Sequence, residues 1–511
     1  MSKAESRRND EGRSLKRPSV AGRGASEFGI LWEFGFRISD FIRSVRTRFS
    51  TILFPTLTLL QLSAAPLTPS WEHPPHQQRE GMFWREHWYE RGLTNANPAY
   101  ERRFRINSPE ASLHPSFGQR VEARENGLML IKAEENLFQL AGAELYVELW
   151  GGHPGTANKR VTVNGRATYQ LPRVGTEEGH CTYQYPVLPL TRSDLVNGYN
   201  AFQWALDQGT TFWGHALIDN ACLRVALTNG HPDLVKLGLA DLAASVVALK
   251  SSTAESATRS TLPHSDASTS ETMLLRLDAP AKFRERIARV DYQAWHSGYD
   301  ENGNRRATDW HGFTKDRWPV AWAGSSPSPL GGARAGVRGE GIENFPASWD
   351  TSMLPAQKNV AVRAFIRFKD APGLVYVTAA TPNLVIPDRP GAAVHLYVPA
   401  DLPEGFWSRA NNKKTCTIIL EVDPAKIERA ELYVVTWTGG AGGVKDYFTL
   451  NGRAFPVADG SRHVIQYNRL PVEPSLLRKG VNTIELLSDT EHHGIEVIYP
   501  GPALVVRYKV P

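Results

Sequence analysis

Ala143-Glu-Leu-Tyr-Val147, followed by Trp150 and Asn164-Gly-Arg-Ala167, recurs as Ala430-Glu-Leu-Tyr-Val434, Trp437 and Asn451-Gly-Arg-Ala454, all at one offset of 287 residues. A match of this kind at a single offset means that one structural unit is used twice in the chain. Further on, Leu188-Pro189 stands ten residues ahead of Gly198-Tyr-Asn200, and Leu470-Pro471 ten residues ahead of Gly480-Val-Asn482. The spacing survives a change of loop length. Within each copy, alternating or apolar β-type runs are separated by Asn-Gly and Gly-rich turns, the pattern of short strands in a sandwich. The runs of the first copy are Leu145–Trp150, Arg160–Val163, Ala201–Leu206 and Ala221–Leu227. Those of the second are Leu432–Trp437, Tyr447–Leu450, Thr483–Leu487 and Ala503–Tyr508.

A strand ending in Val163-Asn-Gly165 or Leu450-Asn-Gly452, followed by a strand entered through Gly-x-Asn, resembles the galactose-binding-domain-like jelly roll. That resemblance implies a scaffold common in carbohydrate-binding modules, at 85–227 and 391–511. Between the copies, Val290-Asp-Tyr-Gln-Ala294, Phe345-Pro-Ala-Ser-Trp-Asp-Thr351 and the run Asn359–Phe368 resemble the immunoglobulin-like spacers of polysaccharide-degrading proteins, with a longer loop at Gly324–Asn344. The expected fold is therefore all-β: two homologous jelly-roll β-sandwiches flanking an immunoglobulin-like β-sandwich at 283–384, behind a disordered basic N-terminal leader over 1–80. Residues 228–280 read as an Ala/Ser/Thr-rich linker, because Ser251–Thr272 holds no Phe, Tyr or Trp; apolar spacing suggests a short helix around Pro232–Leu249.

Bulk properties agree with several domains. A chain of 511 residues exceeds one hydrophobic core, and its 42 Gly, 34 Pro and 14 Trp favour turns and aromatic platforms. The net charge of +5 resides in residues 1–50, where 11 Lys/Arg face 6 Asp/Glu. The neutral remainder lacks the basic field that a phosphate backbone requires, which argues against nucleic acid as a partner. Cys181, Cys222 and Cys416 have no zinc spacing; a Cys181–Cys222 bridge and three buried thiols both fit. The Arg-rich stretch Arg43–Arg48 runs into the apolar Thr51–Ala65, the order of a secretory signal with cleavage near Ala64. The run is too short and too broken by Pro55 to cross a membrane as a typical helix, so the expectation is a secreted protein with no stable membrane insertion after processing. A disordered leader with a chance apolar run remains the alternative.

Candidate ligand residues lie in the loops before the final strand of each copy: Trp213 and His215 in the first, Glu491, His492 and His493 in the second. Pyranose rings stack their CH faces on indole while their hydroxyls need polar partners, so these residue types suit a glycan. Trp150 and Trp437 occupy one equivalent strand position, which suits packing better than recognition. His492 and His493, with Asp489 and Glu491, are also metal-ligand types, but adjacent strand residues point to opposite faces. Asp300-Glu-Asn-Gly-Asn304 has the oxygen-rich alternation of a calcium loop, yet Arg305 stands where an EF-hand has Gly and His311 where it has Glu, so it reads as a polar turn. No cofactor is expected; a structural calcium ion is compatible with the composition. His311 with Asp309 or Asp350, near His296, offers acid–base groups, but no nucleophile elbow, His-Glu-x-x-His, phosphate loop or Gly-x-Gly-x-x-Gly accompanies them. Three readings follow: extracellular glycan binding through the jelly rolls, a polysaccharide lyase or hydrolase with its site between modules, and a structural or adhesive surface protein.

Overall fold

Two asparagines hold the repeat together. Asn164 and Asn451 follow a strand with left-handed φ of 49° and 51°, where Asn is tolerated better than most residues. The Asn164 side chain receives the Ala201 amide (2.8 Å) and donates to Asp194 O (2.7 Å) and Asn200 Oδ1 (2.9 Å). Asn451 does the same with Thr483 (2.9 Å), Leu476 O (2.9 Å) and Asn482 Oδ1 (2.8 Å). The Asn-Gly turn and the Gly-x-Asn entry of the sequence are thus the two halves of one latch.

The structure is a computed structural model, and it describes residues 80–89, 104–119, 123, 127–153, 155–207, 214–250, 271–306, 308–311, 321–324, 344–438, 443–457, 465–489 and 494–511. The leader and its apolar run lie outside these residues. Among the described residues no helix is long and apolar enough to cross a membrane.

The first sandwich uses ten strands: β1 (Met82–Trp88), β2 (Phe104–Asn107), β3 (Leu128–Ala133), β4 (Leu140–Trp150), β5 (Ala157–Val163), β6 (Ala167–Gln170), β7 (Tyr183–Gln184), β8 (Val187–Leu190), β9 (Gly198–Asp207) and β10 (His215–Leu227). One sheet runs β1-β10-β4-β8, with β2 and β7 at its margins, and it faces the sheet β3-β9-β5-β6. The middle region contributes β11 (Ser245–Lys250), β12 (Thr272–Asp278), β13 (Ile287–Ser297), β14 (Thr308–His311), β15 (Ala321–Gly324), β16 (Ala347–Asp350), β17 (Gln357–Phe368), β18 (Leu374–Val377) and β19 (Thr381–Ile386). Its sheet β11-β12-β16 covers a second one in which β13 pairs with β14, β15 and β17, and β17 with β18 and β19. The last sandwich comprises β20 (Ala392–Tyr397), β21 (Lys414–Leu420), β22 (Ile427–Thr438), β23 (Phe448–Leu450), β24 (Arg453–Ala454), β25 (Ile465–Val472), β26 (Gly480–Leu486), β27 (Ile495–Val497) and β28 (Ala503–Lys509). Its sheets, β20-β28-β22-β25 and β21-β26-β23-β24, reproduce the order of the first sandwich strand for strand. The fold is all-β and antiparallel throughout its sheets.

Three expectations need correction. The stretch 228–280 is not linker throughout, because β11 and β12 complete a sheet and bury Val246, Leu275 and Leu277. The helix expected over Pro232–Leu249 shrinks to Pro232–Lys236, since Ser245–Lys250 finds a strand partner. Finally, the first and middle sandwiches are not separate beads. Strand β1 pairs with β10 on one side and β18 on the other, giving a twelve-stranded sheet, and one core extends from Phe83 to Ile386. Cys181, Cys222 and Cys416 are buried free thiols.

Candidate functional site: a cleft on the seam of the joined sheet

Strand alternation decides what lines the outer face of the joined sheet. On β1 Phe83 enters the core, so Trp84 and Glu86 face the other way; on β10 Leu223 and Val225 enter it, leaving Arg224 outside; on β4 Leu145 does, leaving Glu144. In β17 the same rule leaves Arg363, Phe365 and Arg367 on that face, beside Val375 and Val377 of β18. One end of the face is covered by the last sandwich, whose Tyr433, Val435, Trp437 and Val505 pack with Tyr146, Trp150 and Cys222. The other end is a cleft enclosing about 150 Å³.

Part of its floor is apolar, formed by Trp84, Phe365, Val375 and Val377 at the seam between β1 and β18. Pro172 and Tyr185–Val187 of the first sandwich and Asn302, Asn304, Arg306, Asp309 and Trp310 of the middle region make its walls. Along the floor the register places Glu86, Arg224 and Glu144 side by side on three strands. Arg224 Nη1 lies 3.4 Å from Glu144 and its Nε 3.8 Å from Glu86, and its guanidinium sits 4.1 Å over the Tyr146 ring. Arg367 closes the row, donating to Glu86 at 2.9 Å. Burial opposes the Glu86 charge, but Arg367 and Arg224 outweigh it and hold this carboxyl below the usual range. Arg363 lies 3.9 Å over the Trp310 ring, donates to Gln293 at 3.1 Å and pairs with Glu80 at 3.4 Å. Burial pulls it down to about 10, against the attraction of Glu80, so it remains a cation at neutral pH.

The loop Tyr299–Arg305 shapes the second wall and touches both repeats. Tyr299 donates to Gly501 O and stacks on Tyr467 in the last sandwich. Gln184 and Glu178 of the first sandwich hold Gly303 O and Arg305 (2.8 Å). Asp300 receives the amides of Asn304 (3.1 Å) and Arg305 (2.7 Å), so this segment is the polar turn expected of it. Asp309 Oδ2 accepts from Asn302 (2.9 Å) and Asn304 (2.6 Å). Behind the wall, His311 Nδ1 meets Glu301 at 2.8 Å and stacks 3.7 Å from His296. Burial works against the His311 charge, but Glu301 and Asp309 raise its pKa; burial and the neighbouring His311 drive that of His296 well down. The stack is therefore a buried pair in which His311 holds a proton more readily than His296.

Of the five candidate ligand residues, Trp213, Glu491, His492 and His493 lie outside the described residues. His215 is buried, 6% exposed, and lies away from the cleft: it packs 5.2 Å from Trp150 and 5.0 Å from His153, where the first and last sandwiches meet. Trp150 and Trp437 are packing residues of that junction, and Trp150 donates to Glu496 at 3.2 Å. Asp489 accepts the Gly443 amide, and Asp350 that of Ser352. Neither lines the cleft, whereas Asp309 does. Among the described residues no group of three or more His, Cys, Asp or Glu could hold a metal ion. Trp84, Glu86, Glu144, Arg224, Arg363 and Phe365 were not singled out by sequence. At the repeat offset Glu144 is matched by Glu431, and in the strand register, where Arg224 stands opposite Glu144, Val505 stands opposite Glu431.

These features define a class, an antiparallel all-β protein of joined sandwiches with a polar-walled cleft on its sheet seam. No protein-family model matches the chain, and no curated protein sequence matches it. Among solved structures, a β-porphyranase of glycoside hydrolase family 86 from the human gut bacterium Bacteroides plebeius aligns over 47% of this chain and 35% of its own, at 13% identity and a TM-score of 0.20. A second family 86 structure, in complex with neoagarooctaose, aligns over 46% and 32%, at 10% identity and a TM-score of 0.19. A DUF4785 family protein from Legionella pneumophila aligns over 83% and 90%, at 8% identity and a TM-score of 0.18. The chain thus spans about a third of the length of the family 86 proteins. At such TM-scores these likenesses carry no weight for function.

Proposed function

We propose that this is a carbohydrate-binding protein acting outside the cytoplasm, and that the seam cleft is its saccharide site. The observation that carries the reading is the combination of an aromatic and aliphatic floor with a dense array of planar hydrogen-bonding groups around it. A sugar ring presents one apolar CH face and a rim of hydroxyls, and such a cleft answers both. The repeated sandwich and its Asn latch support the galactose-binding-like reading of the scaffold. Binding without turnover is the reading taken, because Glu86 and Glu144 are tied into the ion-pair row with Arg224 and Arg367 rather than left to act on a glycosidic bond. Export rests on the Arg43–Ala65 segment.

The test is retention of the full-length protein on a panel of immobilised polysaccharides, with product release followed in parallel and the N-terminus of exported material sequenced. Retention of at least one neutral or acidic glycan without product release is expected, from a chain starting near Ala64. Phe365→Ala, removing one stacking face from the floor, should weaken retention roughly 2–13-fold. Absence of retention across the panel, or Phe365→Ala binding like the parent, would overturn the assignment; sugar release would make it an enzyme.

A further inference from the structure

We propose that the cleft selects an uncharged saccharide and rejects uronic acids and sulfate esters, reading ligand hydroxyls through the carboxylates of Asp309 and Glu144. This rests on the saccharide reading above and specifies its chemistry. The cleft is lined by three guanidiniums, of Arg224, Arg306 and Arg363, and three carboxylates, of Glu86, Glu144 and Asp309. The cations are all engaged within the protein. Arg224 serves Glu86 and Glu144, Arg363 serves Glu80 and Gln293, and Arg306 has its own interactions. The acceptors are not all used. Both amides that reach Asp309 bond its Oδ2, and Arg224 meets Glu144 only through Oε1. Among the described residues, Asp309 Oδ1 and Glu144 Oε2 thus have no hydrogen-bond partner, and Asn302 Oδ1 adds a third acceptor beside them.

In the same lining Trp310 Nε1 is a buried donor with no hydrogen-bond partner, so the cleft can both accept and donate while its cations already have partners, which suits a ligand that brings uncharged donors and acceptors together. A neutral sugar does so at every hydroxyl. An anionic sugar would shed its hydration to enter and find no surplus cation, while standing close to carboxylates, a combination that costs far more than a neutral hydrogen bond returns. Hydrogen bonds to charged acceptors are also the stronger kind, so the two carboxylates carry more of the recognition than the amides do.

The experiment measures binding of the full-length protein to matched oligosaccharide pairs: galacto-oligosaccharide against oligogalacturonate, and neutral agaro-oligosaccharide against sulfated carrageenan oligosaccharide. The neutral member of a pair should bind about tenfold or more tightly, with little dependence on salt. Glu144→Gln and Asp309→Asn preserve shape while removing charge. Each should weaken the neutral ligand several-fold and narrow the gap to the acidic one, with the melting temperature recorded to separate binding from folding. Tighter, salt-sensitive binding of the uronate or sulfated member would overturn the selectivity and leave the saccharide reading intact. Failure of all four ligands and of the wider panel would overturn the saccharide reading itself. Glu144→Gln and Asp309→Asn that fold normally and bind both members as the parent does would overturn the role of the carboxylates.

Discussion

The first and last sandwiches share strand order and the asparagine latch, yet their outer faces have opposite character. Where the first carries Glu86, Arg224 and Glu144 in register, the last carries Leu396, Val505 and Glu431. Val505 is buried in the junction core with Leu396 against it, whereas the charged row opens into the cleft. The edge strands differ as well: β1 has partners on both sides, while β20 pairs only with β28 among the described residues. A duplicated frame therefore keeps the residues that close its turns and changes those that meet whatever lies outside. Apolar residues appear where another sandwich covers the face, and hydrogen-bonding residues where the face stays open.

The largest effect expected from breaking this contrast comes at Arg224. Arg224→Val alone imports the residue of the last sandwich and leaves Glu86 and Glu144, with side chains 6% and 14% exposed, short of their shared partner. Stripping one member from a buried ion pair costs about 3–5 kcal/mol, so urea unfolding of the full chain should show a loss of that order. The double substitution Glu86→Leu with Arg224→Val installs most of the apolar row and removes one stranded carboxylate. It should lose less than the single substitution does. A double variant less stable than Arg224→Val would mean that the row is held by something other than its charges.

A smaller and equal effect is expected at the latch. Asn164→Ala and Asn451→Ala each delete one accepted and two donated hydrogen bonds, and each places alanine at a left-handed φ. With a net worth near 1 kcal/mol per bond and a further cost of about 1 kcal/mol for the left-handed φ, each should cost about 3–4 kcal/mol. If the copies are one device used twice, the two losses in the same unfolding assay should agree within about 0.5 kcal/mol. Losses that differ severalfold would show that the repeat is shared in sequence but not in energetics.

The latch and the strands it joins were legible because their determinants are local: Asn-Gly supplies the left-handed turn, and alternation over a few residues sets which face is buried. The seam was not. Trp84 meets Val375 across more than half the length of the chain, and no periodicity near either residue announces the pairing. The same holds for β11, whose apolar spacing looked helical until its partner β12, beyond an Ala/Ser/Thr-rich stretch, was placed beside it. Among candidate site residues, Asp309 was noted through its neighbour His311; it acts on that histidine through its charge, while its hydrogen bonds go to Asn302 and Asn304 in the cleft wall. His215 drew notice as a residue of the loop before a final strand; it instead opens β10 and packs on Trp150 and His153 at the junction with the last sandwich.

The smallest effect expected concerns the loop on which both repeats meet, and it depends on pH. Burial raises the Asp300 carboxyl from 3.8 to about 6, partly offset by the Asn304 and Arg305 amides and reinforced by Glu301 and Asp309. A carboxyl with a raised folded pKa binds protons more readily in the folded chain than in the unfolded one. Its contribution is therefore full below about pH 3.8 and is lost as pH rises through about 6. Two pH units correspond to about 3 kcal/mol, and the half-buried position of the side chain reduces this to roughly 1–2 kcal/mol. Asp300→Asn removes the titration while keeping one acceptor for the loop amides. The stability of the parent relative to this variant, from urea unfolding at pH 4, 5, 6 and 7, should fall across the series and level off above pH 6. A difference that stays flat from pH 4 to 7 would show that Asp300 ionises freely and that the loop joins the two repeats without it.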